Sequence, residues 1–216
     1  MLLNFQVFDI IYQLSYYSID EVSQVVYIID SEFNGINNID IVNNLIFLLS
    51  KFRLNIISQK IYINKIGKFI LHKDNLIGTE LTMNWILERH NHENGIMVIG
   101  ISFAACIAAE LIIRRPEISE YLLISPPIRY YDLEPLTKIN VPGIVVFSDY
   151  DIYIPLSRIY KLHNNTKKNL ICNLKLILIR NTDSSYKNKF NVLNKIFIDI
   201  YIKYKIKGIY RNSINL

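Results

Sequence analysis

Short apolar runs recur along this chain and alternate with stretches whose apolar residues return at helical spacing. Val25 to Ile29, Leu54 to Ser58, Ile96 to Ile99, Tyr121 to Ile124, Gly143 to Phe147 and Leu174 to Ile179 are such runs. Their length and continuity predict strands buried on both faces. Between them, Asp40 can cap a helix to about Phe52, because Ile41, Leu45, Leu48 and Leu49 recur on one face. Thr79 is read as the cap of a helix to about Glu88 carrying Leu81, Trp85 and Ile86. Phe103 to Arg114 forms the next helix, stopped by Pro116, and further helices are expected from Pro155 through His163 and from Phe190 to Tyr204. Gln6 to Ser18 predicts one or two edge strands. Gln59 to Gly78 shows weak periodicity and is read as a long loop with a short strand near Phe69 to Leu71, and residues 128–140 as a connecting or lid-like loop. Strands alternating with helices predict an α/β protein with a mostly parallel central sheet covered on both faces. Ligands in such folds bind at the loops beyond the strand carboxyl ends, where Ser102 and Asp151 both fall.

Composition narrows this picture. At 216 residues with 51% hydrophobic and 20% charged residues, the chain suits a single domain spanning 1–216 and excludes long disorder. The net charge of +5 is scattered, with its densest run at Lys203 to Lys207 and Arg211, so 205–216 is expected to be a solvated basic tail. No specific nucleic-acid signal accompanies it. Cys106 and Cys172 lack disulfide-framework or metal-ligand spacing, which points to a reducing compartment. No window is apolar enough for a transmembrane segment, and Met1 to Tyr17 lacks a basic leader, so a cytoplasmic location is expected. Isoleucine, asparagine, lysine and tyrosine are frequent in a way that suggests codon bias, which weakens arguments from propensity alone.

The stretch Gly100-Ile101-Ser102-Phe103-Ala104 ends one apolar run and opens a helix of small residues. Strand, sharp turn and helix in that order can hold a serine hydroxyl above the sheet as a nucleophile elbow, with backbone N–H groups at the helix start facing developing negative charge. The plainer reading is a strand-to-helix turn capped by Ser102. Asp149 and Asp151 follow a later strand, the right order for the acid of a triad, although an Asx-turn leading into Pro155 accounts for them equally well. No glycine repeat cradles a phosphate, and no zinc, nicotinamide or nucleotide signature is present, so no cofactor is expected.

Gly100 to Ala105, Arg114-Arg115-Pro116-Glu117-Ile118-Ser119, Ile124-Ser125-Pro126-Pro127 and Phe147 to Pro155 together resemble the small bacterial α/β-hydrolases related to dienelactone hydrolases. The likeness covers roughly 22 to 204 and is specific from Ile96 to Pro155. It implies a three-layer α/β-hydrolase-like sandwich, with Ser102 as nucleophile, Asp151 as the acid of a Gly-Asp-x-Asp-x-x-Val-Pro-like segment, and the Phe103 N–H as one oxyanion donor. The second donor would come from the loop containing Gly35, which alone survives from the family's His-Pro-His-Pro and glycine-pair region, with Asn37-Asn38 nearby. Asn64 to Lys68 keeps only part of the family's arginine-glycine turn.

The base departs most. The family places a histidine after the last strand, whereas Arg180-Asn181-Thr182-Asp183-Ser184-Ser185-Tyr186 puts Ser184 at that position, and no histidine follows His163. A serine cannot accept a proton near neutral pH as imidazole does. His163 reads as a helix-surface residue, His72 as a loop residue able to swing toward Ser102, and His90 with His92 as a polar helix-terminal cluster. Asp183 reads as a loop cap, with water orientation or cation binding as its functional alternative. The expected protein is a divergent hydrolase-fold member with a degenerate triad and weakened or lost chemistry. The alternative is an active serine esterase or thioesterase. A small acyl or ester ligand is the partner the active reading implies; the divergent reading leaves a binding or scaffolding role or no strong constraint.

Overall fold

A computed structural model of the chain describes residues 2–7, 10–18, 23–33, 38–63, 73–90 and 95–199. Gly35, Asn37, Gly67, His72, His92, the expected strand near Phe69 to Leu71 and the expected tail over 205–216 lie outside the described residues.

The elements are β1 (Leu2–Val7), β2 (Ile10–Tyr17), β3 (Val25–Phe33), α1 (Ile39–Ser50), β4 (Asn55–Ile63), α2 (Lys73–Arg89), β5 (Ile96–Ile101), α3 (Ala104–Arg114), β6 (Ile118–Ile124), a 3-10 turn (Glu134–Lys138), β7 (Gly143–Ser148), α4 (Leu156–Lys168) and β8 (Leu174–Ile179). A further helix, α5, is described over 190–199. Eight strands form one sheet in the order β1-β2-β4-β3-β5-β6-β7-β8. The N-terminal β1–β2 hairpin adds antiparallel to β4, and every other pairing is parallel. This is the expected layered α/β architecture, with the N-terminal hairpin supplying the antiparallel edge.

Because side chains alternate across a strand, each central strand feeds two cores. Tyr27, Ile29, Val98, Leu123 and Val145 pack with α3 and with Ile159 and Leu162 of α4. Val26, Ile28, Met97, Ile99 and Leu122 pack on the other face with Leu45 and Leu49 of α1 and with Leu193 and Phe197 of α5. Continuous burial along β5 and β7 matches their uninterrupted apolar runs. Helix α3 lies closest to the sheet because its inward residues are small: Ala104, Ala105, Cys106, Ala108 and Ala109 are all fully buried.

Three expectations change. Helix α2 starts at Lys73, so Thr79 is an interior residue whose hydroxyl donates to the Leu76 carbonyl rather than a cap. Its buried positions include Asn75, Gly78, Thr79 and Thr82, which hides the helical period from a hydrophobic pattern. A Cβ at Gly78 would run into the Tyr12 ring, which explains a glycine inside the helix. Strand β4 continues to Ile63, where a loop was expected, and α4 continues to Lys168 beyond its last buried residue, Leu162.

Candidate functional site

The carboxyl ends of β5, β6, β7 and β8 converge on one edge of the sheet. Ser102 has φ 56°, Ser125 φ 46°, Asn181 φ 56° and Tyr186 φ 52°. Four of the five described non-glycine residues with positive φ therefore sit in the loops at this edge. A left-handed conformation is unfavourable for residues with a Cβ, and clusters of it mark ends where the backbone is held by its surroundings.

At the elbow the surroundings are visible. The Ser102 N–H donates to the Ile124 carbonyl at 2.8 Å, and the Ala105 N–H donates to the Ser102 carbonyl at 3.0 Å. Gly100 allows the close approach of helix and strand: a Cβ there would lie 2.6 Å from the Ala108 Cβ and 2.7 Å from the Ala105 Cα. Ser31 at the end of β3 completes the turn. It is buried, accepts the Ala104 N–H at 3.1 Å on its hydroxyl oxygen, and donates weakly to the Ile101 carbonyl at 3.4 Å. Its hydroxyl thus caps α3 from a different strand, a role with no local sequence signal. The plain capped-turn reading of Ser102 is not what the geometry has, since no side-chain cap is made by the residues at the start of α3 itself. Among the described residues none hydrogen-bonds the Ser102 hydroxyl.

The acid loop follows β7. Asp151 Oδ1 accepts the Tyr153 N–H at 2.8 Å, an Asx-turn, and the Ile154 N–H donates to the Asp151 carbonyl at 3.1 Å. Burial pushes the Asp151 carboxyl above the usual range, the Tyr153 N–H opposes this, and the negative charge of Asp183 reinforces it. The loop reaches the elbow through an edge-to-face contact of Tyr153 with Phe103, ring centres 5.5 Å apart. Asp149 does something else. Its two oxygens accept the backbone N–H groups of Asn181 at 2.9 Å and Thr182 at 3.2 Å, which holds its carboxyl below the usual range and ties β7 to the loop after β8.

That last loop is where a base is expected. Asn181 adopts the left-handed conformation that asparagine tolerates well. Asp183 accepts the Ser185 N–H at 2.9 Å and the Ser185 hydroxyl at 2.6 Å, and the hydroxyl chiefly lowers its pKa, so it acts as a loop cap. Ser184 stands between them, half-buried. Two residues on, Tyr186 turns fully inward, and its hydroxyl lies 2.7 Å from that of Ser125 at the end of β6. Burial raises the Tyr186 phenol to about 12, and the Asp151 and Asp183 charges act in the same direction. Tyr186 was missed in the sequence; the usable signal was an aromatic residue with a polar tip closing a polar loop.

Neither of the two described histidines lies at this edge. His163 lies exposed on α4. His90 is buried at the other end of the sheet, with Nε2 3.0 Å from the Tyr16 hydroxyl and Nδ1 3.4 Å from Asn55 Nδ2. It sits at the end of α2, as expected, and is buried there; its expected neighbour His92 lies outside the described residues.

The fold has known counterparts. A protein of unknown function from Agrobacterium tumefaciens, described as a candidate alpha/beta hydrolase, superimposes with a TM-score of 0.81 at 20% identity, covering 96% of this chain and 97% of that one. A serine hydrolase homologue from Coxiella burnetii gives 0.70 at 14% identity over 92% and 96% of the two chains. An esterase from Pyrococcus furiosus gives 0.70 at 15% identity over 94% and 90%. The chain therefore has the α/β-hydrolase fold. By sequence, it is 27% identical over 155 residues to an uncharacterised protein of Rickettsia prowazekii, a match covering 69% of this chain and 64% of that relative's length. No protein-family model matches the chain.

Proposed function

We propose that this chain is an α/β-hydrolase-fold protein whose serine-hydrolase chemistry has been lost or strongly weakened, and that it retains the elbow as a binding site for a small acyl or ester ligand. What supports this reading is the loop after β8: the resemblance assigns its base to the position of Ser184, and the neighbouring Asp183, Ser185 and Tyr186 are engaged with one another and with Ser125. Acyl transfer needs a group that takes the serine proton on attack and returns it to the leaving group. Asp151 can orient an imidazole, with Oδ1 on the Tyr153 N–H and Oδ2 left for a further donor, but a carboxylate is a poor base for a serine hydroxyl. Phe103 and Gly35 supply the oxyanion donors in this reading, with Ser102 facing the ligand carbonyl.

The elbow also supports a second reading, an active esterase or thioesterase in which Ser102 attacks the carbonyl and Asp151 supports a base yet to be identified. The left-handed Ser102 favours it, since that backbone is what a nucleophile elbow uses. A fluorophosphonate probe and a p-nitrophenyl ester separate the two. The first reading expects no Ser102 adduct and no turnover above that of Ser102→Ala, while Ser184→His gains both. Turnover abolished by Ser102→Ala in the native chain refutes it, and its loss in His72→Ala as well would identify the base.

A further inference from the structure

From Ile152 to Thr182 the chain contains no aspartate or glutamate, yet it carries Arg158, Lys161, Lys167, Lys168, Lys175 and Arg180. Helix α4 lies in this span and packs on the sheet through Ile159 and Leu162 alone. On a helix of 100° per residue, Leu156, Tyr160, Asn164 and Lys167 fall together on one flank, beside rather than opposite the buried pair, and all four are exposed. Leu156 is 46% and Tyr160 66% exposed. Both flanking turns expose large apolar side chains as well, with Tyr150 65% and Ile152 71% exposed before α4 and Leu170 99% and Ile171 58% exposed after it. Large apolar side chains scattered singly need no explanation, but six within one helix and its two turns, interleaved with cations, do.

The cations are available. Among the described residues none of Arg158, Lys161, Lys167 and Lys168 forms an ion pair. Asp132 and Glu134 face Arg158 and Lys161 across a groove of about 240 Å³, and Arg158 donates to the Ile128 carbonyl at 2.6 Å, so the inner side of the helix is partly answered. Lys167 and Lys168, in the last turn, have no such counterpart in the groove.

We propose that the exposed flank of α4 carrying Leu156, Tyr160 and Lys167, with the turns at 150–152 and 170–171, is a docking surface for an anionic lipid bilayer. Exposed leucine, isoleucine and tyrosine side chains enter the boundary between headgroups and acyl chains, and the lysines meet the negative headgroups. Charge complementarity selects this occupant: a zwitterionic surface gives the lysines nothing to bind, and a soluble polyanion gives Leu156, Ile152 and Leu170 nothing to bury against. The surface begins beside Asp151, so a docked protein presents its acid loop to the membrane. The proposal does not depend on Ser102 carrying any chemistry.

The test is flotation of the full-length chain with vesicles of phosphatidylcholine alone and of phosphatidylcholine containing about one-third phosphatidylserine. Binding is expected only with the anionic vesicles and is expected to fall on the order of tenfold or more in Lys167→Glu/Lys168→Glu and at raised salt. Leu156→Ser/Tyr160→Ser should weaken it too, and Tyr160→Trp should show a blue-shifted emission on the same vesicles. Circular dichroism confirms that each exposed-residue variant is folded. No binding to anionic vesicles overturns the proposal. So does binding that survives both α4 variants and disappears in Lys203→Glu/Lys205→Glu, which assigns it to the basic tail. Equal retention on heparin, unaffected by Leu156→Ser/Tyr160→Ser, overturns it in favour of a soluble polyanion.

Discussion

The elbow after β5 and the loop after β8 sit at the same edge of the sheet, but they are held in different ways. The elbow is fixed by packing: Gly100 lies against Ala105 and Ala108, and Ser31 from another strand closes the turn. The β8 loop is fixed by polar contacts that end within the loop or on its neighbours, from Asp149 to Asn181 and Thr182, from Asp183 to Ser185, and between Tyr186 and Ser125. A change at the elbow disturbs strand, helix and core together. Ser184 is half-buried and its side chain makes no hydrogen bond among the described residues. The Ser102 position is thus tied to the packing of strand and helix, whereas Ser184 has no hydrogen-bond partner among the described residues to tie it to the fold.

The contrast can be broken most forcefully at Gly100. Gly100→Ala places a methyl against the α3 backbone and is expected to cost about 3 kcal/mol, at the upper end for overpacking, measured by urea denaturation. A cost near zero would mean that the elbow is not fixed by packing. Tyr186→Phe leaves the buried Ser125 hydroxyl without its partner and is expected to cost about 1–2 kcal/mol in the same assay. A larger loss there than at Gly100 would invert the comparison.

A smaller effect, of opposite sign, is expected at Asp151. Its folded pKa is raised by burial, so between the unfolded value of 3.8 and the folded one the native state holds the proton more tightly. Stability from this group is therefore lost as pH rises through that window. Asp151→Asn keeps an acceptor for the Tyr153 N–H and removes the buried charge. It should raise the midpoint of thermal unfolding at pH 7, with the gain vanishing below pH 3.8. Asp149 titrates the other way: its pKa is lowered, so the clamp on Asn181 and Thr182 is complete above 3.8 and released as pH falls through the folded value. Amide exchange at Asn181 and Thr182 should accelerate in that acidic range before the elbow amides respond. The smallest effect is Ser184→His, expected to change stability by less than about 0.5 kcal/mol, since the side chain is only half-buried and no partner is lost.

Much of the sheet was legible because buried strands write themselves as apolar runs: β8 is bounded at Leu174 and Ile179 as expected, and β5 and α3 differ by two residues or fewer. Ser102 and Asp151 were located from motif and chain order, and the structure places both at the expected edge. Legibility failed where burial is polar. Asn75, Thr79 and Thr82 are buried in α2, so its first turns read as loop. Ser31 and Tyr186 take their positions from partners 73 and 61 residues away, contacts that no local window contains. The burial of His90 had no local signal for the same reason, since its partners Tyr16 and Asn55 come from β2 and β4.

One turn into α3 beyond the elbow lies Cys106, wholly buried, with its thiol pushed up by that burial, while Cys172 after α4 is partly exposed. A small thiol reagent therefore meets two sites with different clocks. Cys172 reacts on mixing, at the rate of an accessible thiol, and serves as the internal reference. Cys106 reacts only when α3 lifts from the sheet, so its rate reads how often the elbow opens.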